Sequence, residues 1–287
     1  MAHTPKRALV LSGGGGRGAY QCGVYKYLEE VGWLPDILVG TSIGAINAAS
    51  IASGKTAQEL EEAWLQTRTR DVHRFWRLRP WRSIYDTTPW QRTLHRFIDF
   101  GRLAQTDKRV LITATEIERG DLHVFDSQEV VLTPDHILAS CSIPVVYPWT
   151  RVGNAHYWDG AVMANTPLRL AVDAGADEVV VVLLSPIGER RIHVPRRPWE
   201  AIAVVLDLTL SATFEHDLRQ LARINRMVQA GLDPDHREVR CWVVAPSRYP
   251  GFSRILRYDP DVSRELIDLG HADARSVLGE IDRSGRP

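Results

Sequence analysis

Apolar positions in the first fifty residues fall into two short continuous runs and two longer stretches with helical spacing. The runs at 8–12 and 35–40 have the length and character of strands buried on both faces. The stretches 18–31 and 43–53 repeat apolar or small side chains at helical intervals. A strand, helix, strand and helix in so short a span predict a parallel α/β sheet.

The same reading extends along the rest of the chain. Glu59 follows Thr56 by three residues, the spacing of a capping box, and predicts a helix over 56–67. Thr133 followed by Pro134 is a typical helix start. Further strands are expected at 109–117, 121–125, 178–184 and 238–246, and further helices at 133–142, 199–230 and 262–281.

The composition narrows the class of protein. The 287 residues are 44% hydrophobic, which is enough for a sizeable core, and the formal net charge of zero gives no sign of a nucleic-acid partner. The cysteines Cys22, Cys141 and Cys241 provide neither a disulfide framework nor metal-ligand spacing. No signal-peptide pattern is present, and the longest apolar run, 179–184, is too short to span a bilayer. We expect a cytoplasmic protein that meets a membrane only from the side.

A glycine-rich loop follows the first predicted strand, and its members are Gly13, Gly14, Gly15, Gly16, Arg17 and Gly18. The spacing fits a dinucleotide fingerprint, but the second strand does not end in the required acidic residue. A P-loop would need lysine followed by serine or threonine, and the loop has neither. Glycines before a helix permit close backbone approach and leave N–H donors free, so the loop predicts a site for negative charge.

A second motif stands between the second strand and the next helix. Gly40, Thr41, Ser42, Ile43 and Gly44 match G-x-S-x-G. In this context the pattern predicts a nucleophile elbow, a tight turn that presents the serine hydroxyl at a helix N-terminus.

A serine nucleophile needs a base. Of ten histidines, only His156 lies near another unusual motif. That motif is "DGA", formed by Asp159, Gly160 and Ala161, which by itself is typical of a plain Asx turn.

The order of the glycine loop, "GTSIGA" and "DGA" resembles the patatin-like phospholipase family over about residues 8–172. The segment 139–148, together with Asn165 and Pro167, supports the likeness. The resemblance implies a three-layer α/β/α sandwich with a mostly parallel central sheet, similar to the catalytic domain of cytosolic phospholipase A2. We expect residues 173–287 to complete the same fold, so that 1–287 form a single domain.

The resemblance also implies a Ser–Asp dyad without a catalytic histidine. Ser42 would be the nucleophile and Asp159 the base. The glycine loop would supply the oxyanion hole, chiefly through the amides of Gly14 and Gly15. Arg17 matches the family's arginine in this loop, and we expect it to steady the loop or to meet a lipid phosphate.

The implied function is a serine lipid acyl hydrolase with phospholipase A, lysophospholipase or esterase activity, working through an acyl-enzyme on Ser42. The expected partner is a phospholipid or another acyl-ester lipid, and neither a metal nor another cofactor is expected. Acyl transfer from the same acyl-enzyme and non-catalytic lipid binding are the alternatives. The sequence leaves a homo-oligomer open.

Residues 64–98 differ from the rest of the chain, with eight arginines against two aspartates and several interleaved aromatic residues. Tryptophan suits a membrane interface and arginine pairs with phosphate, so the segment fits a lid or an interfacial patch. The candidate interfacial residues are Arg74, Trp76, Arg77, Arg79 and Trp81. The alternative is a helical insertion whose tryptophans pack on the core.

Overall fold

The structure, a computed structural model, describes residues 4–76, 82–187, 194–195 and 197–279. These segments contain ten strands: β1 Arg7–Leu11, β2 Ile37–Thr41, β3 Arg74–Phe75, β4 Tyr85–Asp86, β5 Arg109–Glu116, β6 Asp121–Asp126, β7 Thr150–Val152, β8 Ala155–Asp159, β9 Glu178–Val182 and β10 Arg240–Val244. The six strands that the sequence predicted are confirmed as β1, β2, β5, β6, β9 and β10, and their ends differ from the prediction by no more than two residues.

The α-helices of the described segments alternate with these strands. They are α1 Ala19–Glu30, α2 Ile43–Ala52, α3 Ala57–Leu65, α4 Thr69–Val72, α5 Thr88–Phe97, α6 Phe100–Leu103, α7 Pro134–Ser140, α8 Leu168–Asp173, α9 Pro198–Gln229 and α10 Pro260–Leu278. The predicted capping box of Thr56 and Glu59 is confirmed at the start of α3. None of the helices in the described segments has the length and hydropathy needed to cross a bilayer.

One eight-stranded sheet forms the centre of the fold, in the order β10-β9-β1-β2-β5-β8-β7, with β6 also paired to β5. The strands from β10 to β5 run parallel, whereas β6, β7 and β8 are antiparallel additions. Leu9 and Leu11 of β1 pack in one hydrophobic cluster with α1, α2 and α10. Ala8 and Val10 point to the other face, against α8 and α9. The predicted α/β/α sandwich is therefore confirmed, because each face of the sheet is covered by helices.

The register of β5 brings two distant parts of the chain together. Thr41, the last residue of β2, pairs with Thr113, and Asp159, the last residue of β8, pairs with Ala114. Strand β6 pairs with both Thr113 and Ala114 from the other edge. Strands β2 and β8 therefore meet end to end along one edge of β5, since a strand has only two edges for pairing.

The sequence reading missed β7 and β8. The turn expected at Asp159, Gly160 and Ala161 is present, since the Asp159 side chain accepts from the Ala161 N–H, but the strand that ends at Asp159 was not predicted. The hairpin of β7 and β8 is short and only partly buried, so it lacks the continuous apolar run that marks the parallel strands.

The tryptophans of segment 64–98 do not share one environment. Trp64 and Trp90 are buried in the hydrophobic core, where both rings meet Phe97 edge-on. Trp76 is partly buried and donates its indole N–H to Ser83. For Trp64 and Trp90 the structure favours the alternative in which the tryptophans pack on the core.

We expect Trp64→Ala to lower the free energy of unfolding by about 3–5 kcal/mol, because it removes a fully buried indole from a packed core. Urea denaturation followed by circular dichroism measures the change. The control is Leu232→Ala, which truncates a side chain that is 73% exposed and should change stability by less than about 0.5 kcal/mol. Equal stabilities for the two variants would contradict a core role for Trp64.

Candidate active site

Ser42 occupies a strained turn between β2 and α2. Its φ of 56° and ψ of −123° lie in a region that residues with side chains rarely adopt. Gly40 and Gly44 flank the turn, and a Cβ on Gly44 would collide with the carbonyl groups of Leu11 and Ser12. The turn therefore requires glycine beside Ser42, as the elbow motif predicts.

Ser140 supports this turn from a different helix. The backbone N–H of Ser42 donates a hydrogen bond of 2.8 Å to the Ser140 hydroxyl, and both residues are buried. Ser140 is the last residue of α7. The segment 139–148 supports the family likeness, but the sequence gives no sign of this role for Ser140, because the contact bridges 98 residues of sequence.

Asp159 lies directly beside Ser42. The Ser42 side chain lies close enough to the Asp159 carboxylate to lower its pKa, and the Ala161 N–H donates a hydrogen bond to this carboxylate at 2.9 Å. The backbone of Asp159 is fixed as well, because its N–H donates to the Ser142 carbonyl at 2.9 Å and its carbonyl accepts from the Thr115 hydroxyl at 3.0 Å. The two predicted residues are thus in contact although 117 positions separate them in the sequence.

Burial changes the acidity of this carboxyl group. Asp159 is 2% exposed, and loss of solvent raises its pKa to about 7, against the opposing effect of the hydrogen bonds from Ser42 and Ala161. A carboxyl group that titrates near neutrality can accept a proton and return it at ordinary pH. The pair therefore has the chemistry of a hydroxyl group and an adjacent base.

His156 is not part of this pair. Its Nδ1 lies within hydrogen-bonding distance of Glu118, and its ring packs edge-on against Trp149 at 4.5 Å. His73 is buried but hydrogen-bonds the Tyr147 hydroxyl at 2.8 Å. In the segments that the structure describes, no histidine hydrogen-bonds the Ser42 hydroxyl.

The glycine loop passes close to Ser42. A Cβ on Gly13 would lie 3.2 Å from the Ser42 Cβ. The Gly13 N–H is used within the fold, because it donates to the Asn165 carbonyl at 3.2 Å. The amides of Gly14 and Gly15 have no acceptor among the described residues, and Gly15 lines the same cavity as Ser42. These two amides are the donors that remain for a bound oxygen.

Arg17 fixes one peptide unit of this loop. Arg17 is 2% exposed, and its Nε donates to the Gly14 carbonyl at 3.3 Å while its Nη1 donates to the Ser185 hydroxyl at 3.2 Å. The peptide unit between Gly14 and Gly15 is planar and trans, so the Gly15 N–H points away from the carbonyl that Arg17 binds. Of the two roles expected for Arg17, these contacts favour steadying the loop.

A buried polar network anchors the other end of the loop. Asn47 on α2 donates to the Gly18 carbonyl at 3.0 Å and to the Gln21 side chain at 2.8 Å, and it accepts from the Trp64 indole at 3.1 Å. Gln21 in turn donates to the Ser12 carbonyl at 2.8 Å. Sequence reasoning missed Asn47 and Gln21, because a polar residue inside a helix carries no local sign of its distant partners.

A small cavity, partly open to solvent, lies beside Ser42. Its walls are mainly apolar and aromatic, and the lining residues are Gly15, Ser42, Ile43, Trp90, Cys141, Ile143, Tyr147, Ile255 and Tyr258. Burial raises the pKa of the Cys141 thiol well above its usual value, so this thiol stays protonated near neutrality. Such a cavity suits an apolar group held next to the Ser42 hydroxyl.

The candidate interfacial residues lie outside this cavity or outside the described residues. Arg74 pairs with Asp86 at 2.9 Å across the hairpin of β3 and β4, and Trp76 follows that hairpin's first strand. Arg77, Arg79 and Trp81 fall outside the described residues. Within the described part of the chain, no three histidine, cysteine, aspartate or glutamate side chains group as metal ligands would.

Comparison with known proteins places the chain among relatives in sequence and in fold. The family model for patatin-like phospholipases matches residues 9–172. The chain is 33% identical over 248 residues to the uncharacterized protein YqhO of Bacillus subtilis, covering 74% of this chain and 82% of that protein. It is 24% identical over 225 residues to a cGAMP-activated phospholipase of Escherichia coli, covering 64% of this chain and 62% of that protein. The chain thus spans less than two thirds of the Escherichia coli protein's length.

The fold also occurs among solved structures. The crystal structure of VipD from Legionella pneumophila superposes with a TM-score of 0.50 at 13% sequence identity, covering 97% of this chain and 67% of VipD. At this identity the likeness concerns the fold alone.

We expect the stability of the protein to carry a pH signature of Asp159. Its pKa is about 7 in the folded protein against a usual value of 3.8. Between about pH 4 and pH 7 the unfolded chain has released this proton while the folded protein retains it, so Asp159 lowers stability as the pH rises through this window. Asp159→Asn removes the effect. The melting temperature of Asp159→Asn minus that of the wild type should therefore increase between about pH 5 and about pH 8.

The control for this measurement is Asp235→Asn, which changes an exposed loop carboxylate. Its difference from the wild type should stay constant over the same pH range. If the Asp159→Asn difference were equally constant, the raised pKa of Asp159 would be wrong.

Proposed function

We propose that this chain, which belongs to the patatin-like phospholipase family, is a serine hydrolase of acyl-ester lipids that uses Ser42 and Asp159 as a catalytic dyad. The observation that carries the proposal is the position of the buried Asp159 carboxylate beside Ser42, where the ends of β2 and β8 meet on β5. A carboxylate in this position can take the serine proton directly, so the reaction requires no imidazole.

The first half of the proposed reaction forms an acyl-enzyme. The Ser42 Oγ attacks the ester carbonyl carbon while its proton passes to Asp159. Negative charge grows on the carbonyl oxygen, and the amides of Gly14 and Gly15 donate hydrogen bonds to it. The tetrahedral intermediate then expels the alcohol, which takes the proton from Asp159 and leaves the acyl group on Ser42.

The second half releases the acid. Water attacks the acyl-enzyme and gives a proton to Asp159, and the same amides stabilise the second oxyanion. When this intermediate collapses, the proton returns to the Ser42 Oγ and the carboxylic acid leaves. The fixed peptide unit of Gly14 and Gly15 supports this role, because donors already in place need not reorganise as charge develops.

The strained turn supports the assignment of Ser42. Strain of this kind costs on the order of 1–3 kcal/mol and persists where the surrounding structure enforces it. Here the close packing at Gly44 and the hydrogen bond to Ser140 enforce the strained conformation of Ser42. In this conformation Ser42 lines the cavity.

The cavity supports an apolar acyl group as the bound part of the substrate. Trp90, Tyr147 and Tyr258 provide aromatic walls next to Ser42. The cavity is small, well below the size usual for sites that enclose a whole small molecule. We propose that part of the acyl chain enters the cavity while the rest of the lipid stays outside. The phospholipase among the relatives supports a phospholipid as the substrate.

We expect Ser42→Ala to abolish hydrolysis of p-nitrophenyl butyrate and of phospholipid, because it removes the nucleophile. Asp159→Asn should lower kcat/KM by about 10²- to 10⁴-fold, the usual contribution of a positioned base. Circular dichroism should show both variants folded. Asp235→Asn, at an exposed loop position, serves as the matched control and should keep full activity.

Near wild-type hydrolysis by Ser42→Ala would contradict the proposal. Labelling by a fluorophosphonate gives a second readout, since the wild type should be labelled and Ser42→Ala should not. Products from an added alcohol in place of the free acid would instead identify an acyltransferase.

The activity should also depend on pH through Asp159. Only the deprotonated carboxylate can act as the base, so kcat/KM should rise with pH and reach half its plateau near pH 7, the pKa of the free enzyme's carboxyl group. Initial rates with a soluble ester, measured from about pH 5 to about pH 9, test this. A flat profile across neutrality would exclude Asp159 as the base.

A further inference from the structure

Three strongly exposed apolar side chains lie on two segments that are hydrogen-bonded to each other. Phe75 is 69% exposed, Ile84 47% and Val145 75%. The Ile84 N–H donates to the Val145 carbonyl at 2.9 Å, and the Tyr85 N–H donates to the Val146 carbonyl at 2.9 Å. Phe75 pairs with Tyr85 across the hairpin, so the three exposed side chains lie on adjoining segments of backbone.

This surface borders the Ser42 cavity. Ile143 and Tyr147, on either side of Val145 in the sequence, both line the cavity. The rings of Tyr85 and Tyr147 lie 6.4 Å apart, so the hairpin also reaches the cavity wall. The exposed apolar groups therefore stand at the rim of the proposed lipid site.

Val145 has an unusual backbone for its residue type. Its φ is 69°, and the Val146 N–H closes a three-residue turn by donating to the Pro144 carbonyl at 2.8 Å. A β-branched residue is a genuine outlier in this region, and turns of this kind are rare and strained. The chain thus carries valine where glycine would fit with less strain, and the valine side chain points into solvent.

An arginine and a tryptophan lie next to each other at the same rim. The Arg82 guanidinium stacks over the Trp149 ring at 5.0 Å, and Trp149 is 40% exposed. Arg151 is also exposed, and Arg74 is paired with Asp86. Two further carboxylates are nearby: Asp135 lies in the groove beside Arg82, and Glu118 contacts His156, whose ring packs on Trp149. Arg82 pairs with no carboxylate among the described residues, and tryptophan and arginine together suit the boundary between lipid headgroups and acyl chains.

We propose that the rim surface, formed by Phe75, Ile84, Val145, Arg82 and Trp149, binds an anionic lipid bilayer and places the Ser42 cavity against it. The apolar side chains enter the headgroup region, and the arginine pairs with lipid phosphate. This docking surface deepens the proposed function, since it supplies the membrane on which a lipid hydrolase would act. Its location rests on the exposed groups themselves and not on the reaction.

The test uses the Ser42→Ala protein as background, so that binding is measured without hydrolysis. Co-sedimentation with vesicles of equal parts phosphatidylcholine and phosphatidylglycerol gives the affinity. Adding Val145→Gly should weaken binding by about tenfold, the effect of one lost valine contact with lipid. Glycine adopts a positive φ without strain, so this variant should melt at the same temperature or higher. Arg82→Gln should weaken binding to these vesicles and reduce its salt dependence.

The matched control is Val131→Gly. Val131 is 67% exposed and follows β6, at the end of the sheet opposite Ser42. The Val131→Gly variant should bind vesicles as its parent protein does. With Ser42 restored, Val145→Gly should hydrolyse p-nitrophenyl butyrate as the wild type does and should lose activity on vesicles.

Equal vesicle binding with and without Val145→Gly would overturn the proposal, as would failure of the parent protein to bind anionic vesicles. A dimer in light scattering that Val145→Gly dissociates, with vesicle binding unchanged, would overturn it in favour of a second copy of the chain. If these variants bind vesicles as expected but the protein with Ser42 intact hydrolyses no ester, the docking surface is supported and only the proposed reaction is contradicted.

Discussion

The structure depends on the way two strands meet along one edge of β5. Strand β2 ends opposite Thr113 and strand β8 ends opposite Ala114, so their last residues arrive one register position apart. Neither strand can continue straight, and each chain leaves the sheet in a tight turn. Thr41 ties the junction to β5 through a hydrogen bond of 2.7 Å to Thr113. This pairing places Ser42, the residue after Thr41, beside Asp159.

Burying a carboxyl group at this junction opposes folding and favours chemistry at the same time. Loss of solvent raises the pKa of Asp159 toward neutrality, and the hydrogen bonds from Ser42 and Ala161 offset only part of that change. The rest of the fold compensates through apolar burial on both faces of the sheet. A fully solvated carboxylate would be a much weaker base, so the same burial that lowers stability near neutral pH suits Asp159 to the proposed reaction.

Sequence patterns predicted the elements whose characteristic residues lie next to one another in the chain. The apolar runs of β1 and β2, the capping box at Thr56 and the glycine loop are each readable within a few residues. Partners set by tertiary structure were not readable. Strand β8 is short and half-buried, and Ser140 and Asn47 act across 98 and 29 positions of sequence. Tryptophans spaced among arginines look alike in a sequence, and only the packing separates buried Trp64 from partly exposed Trp149.

The indole of Trp64 links the hydrophobic core to the glycine loop through a single side chain, Asn47. Asn47 uses one oxygen for the indole and its amide group for the Gly18 carbonyl and Gln21. A shift of the indole therefore reorients the amide that holds the loop. Substitutions that loosen the core around Trp64 would therefore also disturb the backbone of the glycine loop beside Ser42, so the packing of one tryptophan affects both the stability of the chain and the geometry of its candidate site.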